Sequence, residues 1–295
     1  MVSSYVTTTV LDNSLPTYFA DVKLTLQGQN ILWNLIDNEQ LPKNQGLSVN
    51  IVKNGTVTAA RLTEGVAITQ AQQITDSTLA ITPAEDGLMV IITKRALERT
   101  LGGLMSRAGK ITANGMNRLM ETNLLTLFTG ASLALGSAGT AMVIGHIQAA
   151  HVNVMRGGTG TNVEQAPKPI VGVFHPFQLN SVMADLSGMS SGAMTYPVPE
   201  GPSARVVRDA FVDHLSGIDL FASYHIDPDA SDDAIGAVFS HDFAIGVMGN
   251  QMDTAKEYDI QLRGWKVVVT REYGFGEYMD AWVRSMTFDA AAPTS

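Results

Sequence analysis

A chain of 295 residues, 45% of them hydrophobic, is long enough for two compact units with their own cores and is not disordered. A net charge of −9, with no basic block anywhere, is the wrong sign for tight binding to nucleic-acid phosphates. The absence of cysteine removes disulfides and thiolate metal sites; no apolar run reaches the length of a membrane span, and MVSSYVTTTV lacks the basic start and apolar core of a signal peptide, so the chain is expected to be made in a cytoplasm.

Residues 1–46 read as an arm. TYFADVKLTL and NILWNLIDN hold enough apolar side chains for short helices around Phe19, Trp33 and Ile36, and Pro42 and Gly46 end them. Nothing here buries a core of its own, so the arm is expected to wrap a surface. From Leu47 the pattern changes to strand. LSVNIVKNGTVTAARL alternates on both sides of Asn54-Gly55, which predicts a hairpin there. VAITQ, TLAIT and LMVIIT continue the strand pattern, separated by Glu64-Gly65, Asp76-Ser77 and Asp86-Gly87. The segment Lys53 to Thr82 is thin in large apolar residues and could reach roughly 50 Å as a ribbon. A two-stranded ribbon is marginal in water, so it must lie on its own domain or on a neighbouring subunit.

Thr93 to Phe128 carries apolar or small residues at Leu97, Leu101, Leu104, Ala108, Ile111, Met116, Leu119 or Met120, Leu124 and Leu127. This three-and-four spacing predicts an amphipathic rod roughly 50 Å long, capped by Thr93 and ended near Gly130. Gly102 and Gly103 are the expected hinge, and two shorter helices broken at the glycines remain the other reading. The leucine side is expected to face Trp265, Val267, Val269 and Trp282.

Beyond the small-residue stretch 129–142, helices are expected at IGHIQAAHVNVM, FQLNSVMADL and SARVVRDAFVDHL, and strands at PIVGVF, GIDLFASYHI, AIGAVFS and FAIGVMG. The alternation suggests an α/β unit over 140–250, with Ser187 to Ser203 as its candidate functional loop. The chain ends in long alternating strands with turns expected at Gly264 and at Gly274 to Gly276.

No chemistry stands out. The histidines (His146, His151, His175, His214, His225, His241) lie on separate elements without a zinc spacing. Asp227, Asp229, Asp232 and Asp233 form an acidic turn, but a calcium loop would need Gly in place of Asp232 and Glu in place of Val238. The glycines near Lys110 and at Gly157, Gly158 and Gly160 miss the phosphate and dinucleotide fingerprints, and no nucleophile-elbow motif occurs. The expectation is therefore no enzyme, with no catalytic, cofactor or metal residues.

The order of these segments resembles the major capsid protein of tailed bacteriophages, the Hong Kong 97 type. The stretch EGVAITQAQQITDSTLAITPAEDGLMVIITKRALE (Glu64 to Glu98) is similar to the junction of extended loop and spine helix in that family, supported by VFHPFQLNSVMADL and GIDLFASYHI further on. The resemblance implies an α+β, HK97-like fold: an N-terminal arm (1–46), an extended β-loop (47–87), a spine helix (88–139) and closing strands (251–295) forming a peripheral domain, and an α/β axial domain (140–250). It implies a homo-oligomeric shell of hexamers and pentamers in the virion, assembled in the host cytoplasm and enclosing double-stranded DNA without tight binding. Lys53, Asn54, Gly55, Arg61 and Glu64 would make the intersubunit loop contacts. Because Met1 leads directly into the arm, a separate scaffolding protein is expected, with a portal, and a cement protein is left open. Some relatives cross-link a loop lysine to a distant asparagine; Lys53 sits near the expected hairpin tip, with no partner asparagine or assisting acid identified. The alternatives are an encapsulin-like nanocompartment shell and a soluble α/β enzyme whose arm serves dimerisation.

Overall fold

The computed structural model describes residues 30–41, 46–55, 57, 59, 61, 62, 64, 65, 67, 73–99, 104–158, 164–186 and 214–293. In chain order, a 3-10 turn (Leu32–Leu35) leads to β1 (Asp37–Gln40), β2 (Val49–Asn54), β3 (Asp76–Ile81) and β4 (Ala84–Thr93). Two helices follow, α1 (Lys94–Arg99) and α2 (Leu104–Gly130), then β5 (Ala134–Gly136), α3 (Ile144–Arg156), β6 (Ile170–Phe174) and α4 (Pro176–Leu186). The chain closes with β7 (His214–Leu215), β8 (Ile218–Ala222), β9 (Asp233–Ser240), β10 (Ala244–Asp259), β11 (Gly264–Glu277) and β12 (Val283–Asp289). The expected hinge at Gly102 and Gly103 and the candidate loop Ser187 to Ser203 lie outside the described residues, as do 203–213 of the expected third helix; its last two residues form β7.

Strand pairing separates the chain into a four-stranded sheet (β1-β10-β11-β4), a six-stranded sheet (β5-β12-β9-β6-β8-β7) and the two-stranded ribbon β2-β3. The boundaries at 250 and 251 therefore need correction. β10 belongs to the four-stranded sheet from Ala244 onward, whereas β12 leaves it to pair with β9 and β5. The side chains explain the exchange: β12 is almost wholly buried, and Val283, Met286 and Phe288 have their apolar partners in the six-stranded core.

The spine begins where the sequence places it. Thr93 Oγ1 accepts the Ala96 amide at 3.2 Å, closing an N-terminal cap on α1. Along α2 the buried positions are Thr112, Met116, Met120, Glu121, Leu124 and Phe128, while Ile111 is 55% exposed. The inward stripe is thus rotated by one residue from the expected one at Ile111. Burial of Thr112 is possible because its hydroxyl donates to the Ala108 carbonyl at 2.7 Å, so no donor is left without a partner.

The leucine stripe divides between two clusters and meets only part of its expected partners, Trp282 among them. Leu97 packs with Ile92 and Ala96, and Leu124 enters the six-stranded core beside Phe128, Phe239 and Trp282. Trp265 instead meets Tyr258 edge-on across the β10–β11 hairpin at 5.3 Å. Where α2 crosses β11 the contact is largely polar. Arg271 Nη1 donates to Asn117 Oδ1 at 3.0 Å, Asn123 donates to the Tyr273 hydroxyl at 2.8 Å, and that hydroxyl donates to Asp86 Oδ2 at 2.6 Å.

Two expected turns are strand. Asp86-Gly87 lies inside β4, paired with Arg271 and Thr270; the break between β3 and β4 falls earlier, at Thr82-Pro83, where proline lacks a ladder amide. Gly274 and Gly276 lie inside β11, and a Cβ on either would come within 3.1 Å of Ile81. They are seats for β3, not bends. Gly264 does follow a turn: Asp259 accepts the Gln261 and Leu262 amides at 2.9 and 3.1 Å, and Arg263 adopts φ 49°.

Candidate functional site

Exposed apolar side chains occur along the β2–β3 ribbon and the loop beyond it. β2 and β3 pair antiparallel from Val49 opposite Ile81 to Asn54 opposite Asp76, and the Gly55 amide donates to the Thr75 carbonyl at 2.7 Å. Asn54-Gly55 is therefore the point where the ribbon opens into a long loop, not a hairpin turn. Sequence alternation through 56–62 continues, but the partner of β2 is 76–81, whose Leu79 and Ile81 can be buried.

The root of the ribbon is anchored in its own subunit. Ile81, Ile245 and Val247 form a small buried cluster with Leu41, Val49, Ile51, Leu79 and Tyr278 around them. Of the two seats the sequence left open for the ribbon, its own subunit holds the root. Beyond the root the opposite is true: Leu62 is 63% exposed and Ile74 is 70% exposed, and Val57 also faces solvent. Arg61 and Glu64 are exposed in the loop, with Glu64-Gly65 in a turn.

Lys53 sits at the root instead of the tip. Its Nζ donates to the Glu277 carbonyl at 3.3 Å and lies 5.3 Å from the Tyr278 ring centroid, within cation–π range. Beneath it are two carboxyls. Asp280 accepts the Ser132 amide at 2.9 Å and the Ser132 hydroxyl. Burial pushes the Glu277 carboxyl up to about 7, helped by its hydrogen bond to Asp280 and that group's charge, while Lys53 opposes. Asp280 is held below the usual carboxylate range: burial works against it, but the two Ser132 donors, Glu277 and the Arg284 charge prevail. Nothing in the sequence marks Glu277 and Asp280; the only signal of a close approach is the pair of glycines just before them.

A second buried carboxyl fixes the N-terminal segment. Glu121 on α2 accepts the Leu32 amide at 3.1 and 3.3 Å on its two oxygens and the Ser223 hydroxyl at 3.4 Å. Leu32 and Ile36 are buried in the main core, and Trp33 meets Tyr273 edge-on at 6.5 Å. The described part of the arm is thus a plug in the core as well as a surface wrap.

The remaining polar clusters are structural. Asp229 Oδ1 accepts the Ser231 and Asp233 amides at 2.7 and 3.0 Å, and Asp233 Oδ1 accepts the Gly139 amide at 2.6 Å, so the acidic turn clasps the loop before α3. Among the described residues no three metal-ligating side chains converge. The histidines stay apart: His146 stacks on Phe288 at 4.6 Å, His214 meets Asp219 at 2.7 Å, and His241 meets Asp242 at 2.9 Å. A cleft of about 410 Å³ is lined by His151, Lys168, Pro169, Ile170, Gly217 and Asp219, without a serine, threonine or cysteine, and burial lowers the basicity of His151.

No protein-family profile matches the chain, and no curated protein does. Its architecture is nevertheless shared with virus shells. A structure from Mycobacterium phage Che8 superimposes with a TM-score of 0.71 at 15% identity, covering 92% of this chain and 96% of that one. The capsid of cyanophage P-SCSP1u gives 0.69 at 13% identity, covering 96% and 95%. The capsid of Ralstonia phage GP4 gives 0.71 at 12% identity, covering 95% and 96%. The fold is the α+β, HK97-like capsid fold, as the sequence resemblance implied.

Proposed function

We propose that this chain is the major capsid protein of a tailed bacteriophage, assembling as hexamers and pentamers into the icosahedral head around double-stranded DNA. One observation carries the reading beyond the fold: the β2–β3 loop is rooted in its own subunit, yet Leu62 and Ile74 beyond the root are exposed. Apolar side chains left without a seat at home point to a seat on a neighbour, repeated by symmetry. The six-stranded unit would be the axial domain. The four-stranded sheet, ribbon and spine would be the peripheral one. A net charge of −9 suits a wall that must not hold packaged DNA against its release. A scaffolding protein and a portal would be its assembly partners, and the virion its location.

The test is the size and content of purified particles. Megadalton shells in negative stain, eluting near the void volume and able to package DNA in an infected cell, are expected. A monomer or dimer under every condition overturns the proposal, and shells filled with enzyme cargo in place of DNA would make it a nanocompartment.

A further inference from the structure

Among the groups at the ribbon root, two carboxyls that touch each other face a single lysine carried by the ribbon. Asp280 is the fixed member. It is gripped by the Ser132 amide and hydroxyl, and the Arg284 guanidinium from β12 adds its charge. Glu277, at the end of β11, is the member free to change partner. Its carboxyl lies within hydrogen-bonding reach of Asp280, while its Oε1 is buried with no donor. Lys53, from β2, is already bound to the backbone carbonyl of Glu277 and stands over the neighbouring Tyr278 ring.

Two adjacent carboxylates in a partly dry site do not both ionise readily, and an ionised oxygen without a donor is costly. A proton on Glu277 satisfies both conditions by donating to Asp280. When that proton leaves, the Glu277 carboxylate is repelled by Asp280 and attracted by the Lys53 charge.

We infer that Glu277 is a proton-operated latch on the root of the β2–β3 ribbon, tied to Asp280 when protonated and to Lys53 when ionised. The ribbon is held by the backbone contact and apolar cluster alone in the first state and gains an ion pair in the second. Because the carboxyl loses its proton at about 7, the exchange falls close to neutral pH. Its consequence for particle formation rests on the shell reading; the latch itself does not.

The chain has no cysteine, so a Val57→Cys variant can carry one fluorescent probe on the loop. Probe anisotropy, read on unassembled subunits from mildly acidic to mildly alkaline buffer, is expected to rise in a single step with a midpoint near 7. Glu277→Gln on the Val57→Cys background removes the step and leaves the probe at its low-pH mobility. Lys53→Met, which removes the carbonyl contact together with the charge, also abolishes the step, from a more mobile baseline at every pH, and serves as the reading should Glu277→Gln not fold. A flat profile in the parent, or a step that survives Lys53→Met, overturns the latch. A latch intact in subunits that never form particles would count against the shell reading alone.

Discussion

Glu121 places a carboxyl in the middle of an apolar core, with the Leu32 amide and the Ser223 hydroxyl as its hydrogen-bond donors. Burial pushes it up from 4.5 to about 7, against the pull of the Leu32 amide, Ser223 and the Ile31 amide. The sign follows from proton counting: between those two values the folded chain binds a proton that the unfolded chain has lost. Stability from this group is therefore full below about 4.5, declines as pH rises through about 7, and is level above that. The melting temperature of the subunit is expected to fall over that window, and Glu121→Gln should flatten the fall by an amount equivalent to about 3 kcal/mol. A variant whose melting curve shifts with pH as much as the parent's would show that Glu121 is ionised and well solvated. Glu277 contributes with the same sign, so part of the slope persists in Glu121→Gln.

At the scale of elements, α2 joins two different surfaces along one face. Its C-terminal half is an apolar wedge: Met120, Leu124 and Phe128 fill the six-stranded core, and Phe128 lies 5.5 Å from Phe239. Leu124 is 0% exposed, so Leu124→Ala is expected to cost about 2–5 kcal/mol, seen as a lower urea midpoint with an unchanged slope. An unaltered midpoint would mean that the wedge repacks without a cavity. The same helix meets β11 through Arg271, Tyr273, Asn117 and Asn123. A polar seam of this kind fixes register through direction-dependent hydrogen bonds, which an apolar stripe does not do. The glycines of β11 give the other face of that strand to the ribbon, since a side chain at Gly276 would occupy the place of Ile81.

Across the whole molecule, the ribbon divides into an anchored root and an exposed loop, and the division is testable. Replacing residues 56–74 by a short Gly-Ser link leaves β2, β3 and the Ile81, Ile245, Val247 cluster in place. The expected product is a folded subunit with a melting temperature close to the parent's that forms no stable particle, because many weak symmetric contacts are lost together. Normal particles from this variant would remove the loop from the assembly contacts.

Local pattern alone determined much of this protein. The three-and-four spacing from Leu97 to Leu127, the Thr93 cap and the alternation in 47–54 and 264–273 state helix and strand directly, because each depends on neighbours within a turn or a pleat. Composition excluded disulfides and made tight phosphate binding unfavourable. What the tertiary structure decided are the long-range choices. β2 pairs with 76–81 in place of 56–62, β12 crosses to the six-stranded sheet, Gly274 and Gly276 are seats instead of turns, and Thr112 turns inward while Ile111 turns out. Each is settled by a partner distant in sequence, whose burial or hydrogen bonds outweigh a local preference worth less than about 1 kcal/mol per residue. The carboxyls of Glu121, Glu277 and Asp280 were illegible for the same reason: an acidic residue in a sequence is read as solvated, and only the packed elements around it show that water has been removed.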